Sequence, residues 1–294
     1  MTPSMQSTLS TLPVAMLLSL ALSAPAVAQE RAAGRVETRI ENRNENRIDV
    51  VTPLAPELAQ FGAYSVGVRT IVVTDKSRPD VLRTKTGEPT VRADRSLTLE
   101  VWYPSVADSP AHDGEYRAIM RDPSVVVTLR GRAHRDAAPI ASDSAFPLLI
   151  ISHGYPGNRY LLSHLGENLA SKGYIVASID HTGSTYDNAQ AFAVTLYNRP
   201  YDQLFVLNEL ARLGAANSGH FLSGRVDATR TGIIGYSMGG YGLVNVIGGG
   251  YRAAAASFPG APPNGLLLER SADNAAYQAS IDPRIKAAVA IGPW

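Results

Sequence analysis

Five consecutive residues in the C-terminal third of the chain have the types and spacing of an acyl-transfer nucleophile. Gly235-Tyr236-Ser237-Met238-Gly239 directly follows the apolar run Thr231-Gly232-Ile233-Ile234. A serine on a sharp turn between a buried strand and a helix exposes its hydroxyl at the carboxyl end of the strand. Glycines two residues to either side avoid collisions within such a turn. The pattern predicts that Ser237 is a nucleophile that forms an acyl-enzyme intermediate.

A second glycine-containing stretch lies upstream, after another apolar run. His153-Gly154-Tyr155-Pro156-Gly157 follows residues 147–152 and matches the H-G pattern of an oxyanion loop. The Tyr155 amide would be one donor to a developing oxyanion, and the Met238 amide, next to the nucleophile, would be the other. Each donor of this kind stabilises a transition state by roughly 2.7–4 kcal/mol. The sequence therefore predicts an oxyanion hole made by Tyr155 and Met238.

The histidines offer no obvious general base, since all six precede Ser237. His153 belongs to the oxyanion stretch, and we expect its ring to serve that loop through its own hydrogen bonds. His181 follows Asp180 at another strand end, where a structural or pocket-wall role is expected. Adjacent strand residues point to opposite faces, so Asp180 and His181 should not form a relay.

Other chemistry is less well supported by the sequence. No His/Asp spacing is typical of a helix-borne ligand pair, so we predict neither a metal site nor a cofactor. Four aromatic residues in the segment before the nucleophile strand are candidates for an acyl pocket, although local packing explains such residues equally well. They are Tyr186, Phe192, Tyr197 and Tyr201.

The composition excludes whole classes of partner. With 27 lysines and arginines against 26 acidic residues, the formal charge of +1 provides no broad field for nucleic acid or an anionic membrane. The absence of cysteine excludes disulfides, a thiol nucleophile, a Cys-ligated metal and a lipoprotein anchor. We therefore expect a small-molecule or lipid-like ester substrate, and the sequence leaves the oligomeric state open.

The first 60 residues are read as a targeting segment and a linker. Residues 1–28 contain an apolar stretch, 12–22, followed by the small-residue pattern Ala24-Pro25-Ala26-Val27-Ala28, which predicts a signal peptide. The stretch is shorter than the roughly 20 residues of a membrane span, and an ordinary buried or anchoring helix is the alternative. Residues 29–60 are read as a polar linker, with a short amphipathic helix as the alternative. These features predict a periplasmic or secreted protein without stable membrane insertion after cleavage.

The remaining residues, 61–294, are predicted to form one α/β domain. Residues 65–73 and 97–104 alternate with period two and should be antiparallel entry strands. Residues 105–145 are irregular. Thereafter strands alternate with helices, which predicts a mostly parallel sheet wound on both faces. The predicted strands are 147–152, 174–180, 231–235 and 285–291, and the predicted helices are 160–172, 202–213 and 238–247.

Three segments together resemble a known superfamily. They are Asp94 to Pro104, Pro147 to Gly157, and Gly235 to Gly240. In their order and spacing the chain resembles the α/β-hydrolase superfamily over about residues 61–294, and more closely the platelet-activating-factor acetylhydrolase and dienelactone-hydrolase-like bacterial esterases. The resemblance implies an α/β-hydrolase fold and a serine carboxylic ester hydrolase. It also implies that Ser237 is the nucleophile and that Tyr155 and Met238 donate the oxyanion-hole amides.

One feature departs from the pattern that the resemblance implies. In that family the catalytic acid and histidine follow the nucleophile on later strand ends, and this sequence ends at Trp294. A serine hydroxyl depends on an adjacent base, so we expect a C-terminally truncated chain with little or no esterase activity. The missing strand-helix units would leave a bare sheet edge that favours aggregation. A cutinase or polyesterase-like hydrolase and a non-catalytic α/β-hydrolase-fold binding protein are the alternatives.

Overall fold

The computed structural model describes residues 46–106 and 114–294, and residues 46–294 make up one compact unit. The predicted signal peptide and most of the predicted linker lie outside the described residues. Within the described ranges, no helix is both long and apolar enough to cross a membrane.

The described residues form nine β-strands and four α-helices. The strands are β1 (Ser65–Pro79), β2 (Arg92–Ser105), β3 (Gly114–Ile119), β4 (Val126–Gly131), β5 (His134–Arg135), β6 (Phe146–Ser152), β7 (Ile175–Asp180), β8 (Val226–Tyr236) and β9 (Ile285–Ile291). The α-helices are α1 (Ser163–Ala170), α2 (Phe192–Leu213), α3 (Met238–Val246) and α4 (Ala275–Ala279). Short 3₁₀ segments occupy Glu57–Ala59, Ala253–Ser257 and Pro263–Arg270.

Seven of these strands form one mixed sheet in the order β5-β1-β2-β7-β6-β8-β9. β2 pairs with both β1 and β7 in antiparallel fashion, whereas β7, β6, β8 and β9 are mutually parallel. The predicted fold class, a mostly parallel sheet with antiparallel N-terminal strands, is therefore confirmed. The parallel strands bring the carboxyl ends of β6, β7 and β8 to one edge of the sheet, where the predicted site residues lie.

Helices cover both faces of the sheet. Leu148 and Ile150 of β6 belong to a core packed against α2 and α3, whereas Ile151 belongs to a second core that includes Ala170 of α1. Successive strand residues point to opposite faces, so the continuous apolar run of β6 is needed to fill both layers. This double burial fixes the position of the segment that leaves β6 at Ser152.

The structure differs from the predicted elements most clearly in helix α2 and in the stretch 105–145, and strands β1, β2 and β8 are longer than predicted. Helix α2 begins at Phe192, ten residues before the predicted start, because its first half buries polar side chains that give no apolar periodicity; among them are Asn198 and Arg199. The stretch predicted to be irregular contains β3 and β4, which form a separate antiparallel pair.

The last part of the predicted linker contacts the domain. The Ile48 amide donates to the Arg130 carbonyl at 2.8 Å, and Asp49 is buried in ion pairs with Arg47 and Arg132. A carboxylate buried between two guanidinium groups ties this segment to the chain that follows β4. Residues 46–49 thus pack on the domain and do not behave as a free spacer.

Strand β9 forms one edge of the sheet. It pairs with β8 on one side, and no strand among the described residues pairs with its other side. Its side chains are largely exposed, including Val289 at 50% and Ile291 at 39%. An apolar strand with an open edge is an unusual surface for a folded domain.

Candidate active site

Ser237 lies on a strained turn between β8 and α3. Its backbone has φ 51° and ψ −117°, a conformation that costs a non-glycine residue of order 1–3 kcal/mol. A Cβ added at Gly235 would lie 2.4 Å from the Gly239 carbonyl oxygen, and one added at Gly239 would lie 1.9 Å from the Ser152 carbonyl oxygen. Both glycines are therefore required for the turn to pack on β6. This backbone conformation places the half-buried Ser237 side chain at the carboxyl edge of the sheet.

The H-G loop lies beside this turn. A Cβ added at Gly154 would come within 3.2 Å of the Ser237 Cβ, so the loop passes the serine at van der Waals distance. Among the described residues, neither the Tyr155 amide nor the Met238 amide donates a hydrogen bond. Met238 is the first residue of α3, whose leading N–H groups have no intrahelical acceptor. Two main-chain N–H groups without an acceptor among the described residues thus lie in the loop that contacts Ser237 and at the residue that follows it.

Aromatic side chains surround the same turn. Phe192 packs against Tyr155 with ring centroids 5.4 Å apart and against Trp294 at 5.3 Å. Tyr241 contacts the other side of Trp294 at 5.8 Å. Trp294 is 61% exposed. We call these four residues the aromatic rim.

The other aromatic candidates lie elsewhere. Tyr197 and Tyr201 stack on each other at 4.9 Å and approach Glu269, in a cluster that also contains Val81 and Leu266. Tyr186 is half-buried, and its amide donates to the Gly157 carbonyl. Of the four aromatic residues proposed from the sequence, Phe192 is the one that belongs to the aromatic rim.

Behind Ser237, a series of hydrogen-bonded polar side chains connects β6 to α2 through the interior. Ser152 Oγ lies 2.8 Å from His181 Nε2, and His181 Nδ1 lies 2.9 Å from Asp202 Oδ2. Because Nδ1 faces a carboxylate, it carries the proton, and Nε2 accepts from the Ser152 hydroxyl. All three side chains are at most 1% exposed. This Ser-His-Asp series of contacts is buried and does not include Ser237.

Charged side chains stabilise the Asp202 end of this series of hydrogen bonds. Asp202 accepts hydrogen bonds from Arg95 at 2.7 and 2.8 Å and from Arg78 at 3.2 Å. Burial opposes ionisation of Asp202, but these two arginines and His181 outweigh it and hold the pKa of the carboxyl well below its usual range. Burial lowers the pKa of His181 to about 3, so its ring is neutral at physiological pH.

Asp180 and His181 do not form a relay. Asp180 ion-pairs with Arg159, whereas His181 bonds to Ser152 and Asp202. His153 donates from Nδ1 to the Gly154 carbonyl at 2.6 Å, and its Nε2 accepts from the His181 amide at 3.3 Å. Burial, with the nearby Arg199 charge, lowers its pKa well below the ordinary value.

None of the described histidines bonds to the Ser237 hydroxyl. His153 and His181 use both ring nitrogens in the contacts above, and His134, His164 and His220 belong to β5, α1 and the loop before β8. His112 lies outside the described residues. Among the described residues, no group of three or more His, Asp or Glu side chains could hold a metal ion.

Sequence reasoning missed three groups near the site. Arg199 lies beneath the oxyanion loop, Asp202 bonds to His181, and Trp294 packs on Phe192. Asp202 is three residues from Arg199 on α2, so a helix with buried polar residues at this spacing was the available signal. Nothing in the local pattern around Trp294 indicated its position.

The sheet order, the strained serine between strand and helix and the adjacent H-G loop define a class of protein. The chain has the fold of the α/β-hydrolase superfamily. Residues 130–265, which contain the oxyanion loop, α2 and the serine turn, match the family model described as PETase, PET hydrolase-like.

Individual proteins show the same relationship. Cutinase est1 of Thermobifida alba is 32% identical over 104 residues, which are 35% of this chain and 31% of that protein. Bis(hydroxyethyl) terephthalate hydrolase of Streptomyces coelicolor is 32% identical over 103 residues, 35% of this chain and 29% of that protein. The match thus spans about a third of the length of these curated relatives. A solved structure, ferulic acid esterase from Streptomyces cinnamoneus, aligns at 29% identity over 65% of this chain and 56% of that one, with a TM-score of 0.46.

Proposed function

We propose that the protein is a carboxylic ester hydrolase in which Ser237 attacks the ester carbonyl and forms an acyl-enzyme. The observation that carries the proposal is the strained Ser237 backbone at the start of α3, together with the Tyr155 and Met238 amides, which have no acceptor among the described residues. Strain of this kind is concentrated at functional sites, where surrounding packing maintains it. The Tyr155 and Met238 amides would bind the oxyanion that develops as the ester carbonyl becomes tetrahedral.

We expect this 294-residue chain to hydrolyse esters slowly. A serine hydroxyl is a weak nucleophile without an adjacent base, and no described histidine reaches Ser237. Acylation by an activated ester is less demanding than hydrolysis of the acyl-enzyme that follows. The chain should therefore accumulate an acyl adduct, and added imidazole should accelerate turnover by acting as an external base.

The test uses p-nitrophenyl acetate with the full chain, with and without imidazole, corrected for hydrolysis by imidazole alone. We expect up to one p-nitrophenolate released per chain and an acetyl group on the peptide that contains Ser237, detected by mass spectrometry. Ser237→Ala should abolish both, whereas Ser142→Ala, which changes an exposed serine, should change neither. Release that is unaffected by Ser237→Ala would contradict the proposal.

The lack of a described histidine at the Ser237 hydroxyl also supports the second candidate, a non-catalytic binding protein of the same fold. The same experiment separates the two. A folded chain that forms no Ser237 adduct even with imidazole would favour the binding protein, and robust turnover without imidazole would contradict the expectation of slow turnover.

For the substrate class, a polyester or cutin-type ester is favoured over the small esters of the acetylhydrolase and dienelactone-hydrolase groups. The PET hydrolase-like match and the cutinase relatives support this, as does the aromatic rim, in which Trp294 is exposed and the other three rings are half-buried. Exposed aromatic rings suit a bulky apolar acyl group that stays partly in solvent. Bis(hydroxyethyl) terephthalate should therefore acylate Ser237 faster than an aliphatic ester of equal leaving group, and equal rates would contradict this assignment.

Export remains part of the proposal. The apolar stretch 12–22 and the small residues 24–28 support a signal peptide, which would place the protein in the periplasm or outside the cell. Expression in a bacterium followed by N-terminal sequencing should give Gln29 as the first residue. A cytoplasmic protein that retains Met1 would contradict it.

A further inference from the structure

One buried guanidinium binds two successive carbonyl groups beneath the oxyanion loop. Arg199 donates from Nη1 to the His153 carbonyl at 2.7 Å and from Nη2 to the Gly154 carbonyl at 3.2 Å. Nη2 also donates to Ser184 Oγ at 2.5 Å. The Arg199 side chain is 1% exposed, and its Nε has no partner among the described residues.

This is a costly way to hold a loop. Among the described residues, Arg199 forms no ion pair within 4.0 Å, so neutral oxygens are its only direct partners. Burial lowers its pKa to about 9, which still leaves it charged at neutral pH. A buried cation without a carboxylate in contact is destabilising relative to an apolar side chain of similar volume. Its position therefore calls for an explanation other than stability.

The peptide geometry provides one. The bond between Gly154 and Tyr155 is trans, so the Gly154 carbonyl and the Tyr155 N–H point in opposite directions. Arg199 and the His153 ring both donate to that carbonyl and hold it toward the interior. The Tyr155 N–H is thereby turned away from Arg199, and it has no acceptor among the described residues.

The His153 contact depends on a fixed tautomer. Nδ1 faces a carbonyl oxygen and Nε2 faces the His181 N–H, so the neutral ring carries its proton on Nδ1. The lowered pKa keeps the ring in this form. Both donors to the Gly154 carbonyl are therefore present at neutral pH.

We propose that Arg199 is a positioning residue for the esterase reaction: with His153, it orients and polarises the Tyr155 amide that receives the oxyanion. A guanidinium on the carbonyl end of a peptide draws electron density toward that end and makes the N–H a stronger donor. The proposal rests on the function proposed above, because it assigns the oxyanion to Tyr155.

Arg199→Lys tests this, since lysine keeps the charge but cannot bind both carbonyls with a planar fork. The readout is the rate of Ser237 acylation by p-nitrophenyl acetate, as a function of ester concentration. We expect the maximal rate to fall by about tenfold or more with little change in the half-saturating concentration, since complete loss of an oxyanion donor costs about 10²–10³. Arg135→Lys, whose arginine pairs with Glu100 elsewhere in the sheet, should acylate at the normal rate.

Two further measurements protect the test against misfolding. Ser184→Ala removes one acceptor of Arg199 without removing the charge, and should lower the acylation rate by a smaller factor. The Tyr155 amide, followed by NMR in ¹⁵N-labelled protein, should shift in Arg199→Lys and remain unchanged in Arg135→Lys. A merely structural role would lower the urea midpoint but leave both the rate and the amide resonance of the folded variant unchanged.

The outcomes separate the two proposals. If the normal chain forms no Ser237 adduct, the proposed function fails, and an unshifted Tyr155 amide in Arg199→Lys then overturns the positioning as well. If Ser237 is acylated in the normal chain and equally fast in folded Arg199→Lys, the function stands and the role of Arg199 is overturned.

Discussion

Two regions flank the Ser237 turn, and they are built in opposite ways. On one side, the polar chain of Ser152, His181 and Asp202, with Arg199 beside it, is almost fully buried. On the other side, β9 accepts a hydrogen bond from the Ser237 amide at Ile291, yet exposes most of its apolar side chains. Next to the Ser237 turn, the buried side chains are therefore polar, and the exposed side chains on β9 are apolar.

The difference shows where positional precision originates. A buried polar group must have a directional partner, so each contact restricts the geometry of the next. The peptide groups of the oxyanion loop are part of this network. The exposed apolar strand has no such directional demand, and it favours association with other apolar surface. The polar interior should thus govern stability and catalysis, and the apolar edge should govern solubility.

The largest effect should follow from removing the charge at the centre of the network. Asp202→Asn removes the counter-ion of Arg95 and one of the two carboxylates that pair with Arg78, which keeps Asp75, and breaking a buried pair costs about 3–5 kcal/mol. Urea unfolding measures this as a lower midpoint. Asp94→Asn is the matched control, because the Asp94 pair with Lys76 is exposed and should contribute little. Equal midpoints for the two variants would mean that the buried network does not hold the domain together.

Stability should also fall as the pH is lowered below about 6.5. The unfolded chain binds a proton at His181 near its ordinary pKa of about 6.5, whereas the folded chain does so only near 3. Between these values the unfolded state holds more protons, so each such histidine reduces stability by about 1.4 kcal/mol per pH unit on acidification. His153, buried and neutral, acts in the same direction.

Other titratable groups also change the slope of the free energy of unfolding against pH. A variant is therefore needed to isolate the contribution of His181. Burial raises the pKa of Glu167 and of Asp180, and these carboxyls oppose the effect. Urea midpoints between pH 7 and 5 should fall less steeply for His181→Asn than for the unmodified chain. His220→Asn, at a half-buried ring, should change the slope less. Parallel slopes for all three proteins would contradict the neutral assignment of His181.

The contrast between the regions also explains what the sequence could predict. The apolar runs of β6 and β8 and the glycines around Ser237 carry strong local signals, because double burial and a strained turn each restrict residue type. These signals were sufficient for the sheet and for the positions of Ser237, Met238 and the oxyanion loop. The catalytic roles of these residues remain predictions.

The polar network could not be predicted in the same way. Arg199 and Asp202 have no apolar periodicity, and their partners on β2 and on the loops after β6 and β7 are brought near only by the folded sheet. A buried arginine on a helix resembles an exposed one in sequence, so the first half of α2 was missed. Of the aromatic rim, only Phe192 was a pocket candidate from the sequence. Trp294 contacts Phe192 only because β9 pairs with β8 and ends beside it.

The smallest effect on stability, but a clear one on solubility, is expected at the apolar edge. Val289→Lys places a charge on an exposed position of β9 and should change the free energy of unfolding by no more than about 0.5 kcal/mol. It should nevertheless reduce concentration-dependent association in light scattering, because charged side chains on an edge strand oppose pairing with another chain. Leu82→Lys is the control: Leu82 is 52% exposed and lies outside the strands. If both variants reduce association equally, added charge and not the edge is responsible, and β9 has no special part in it.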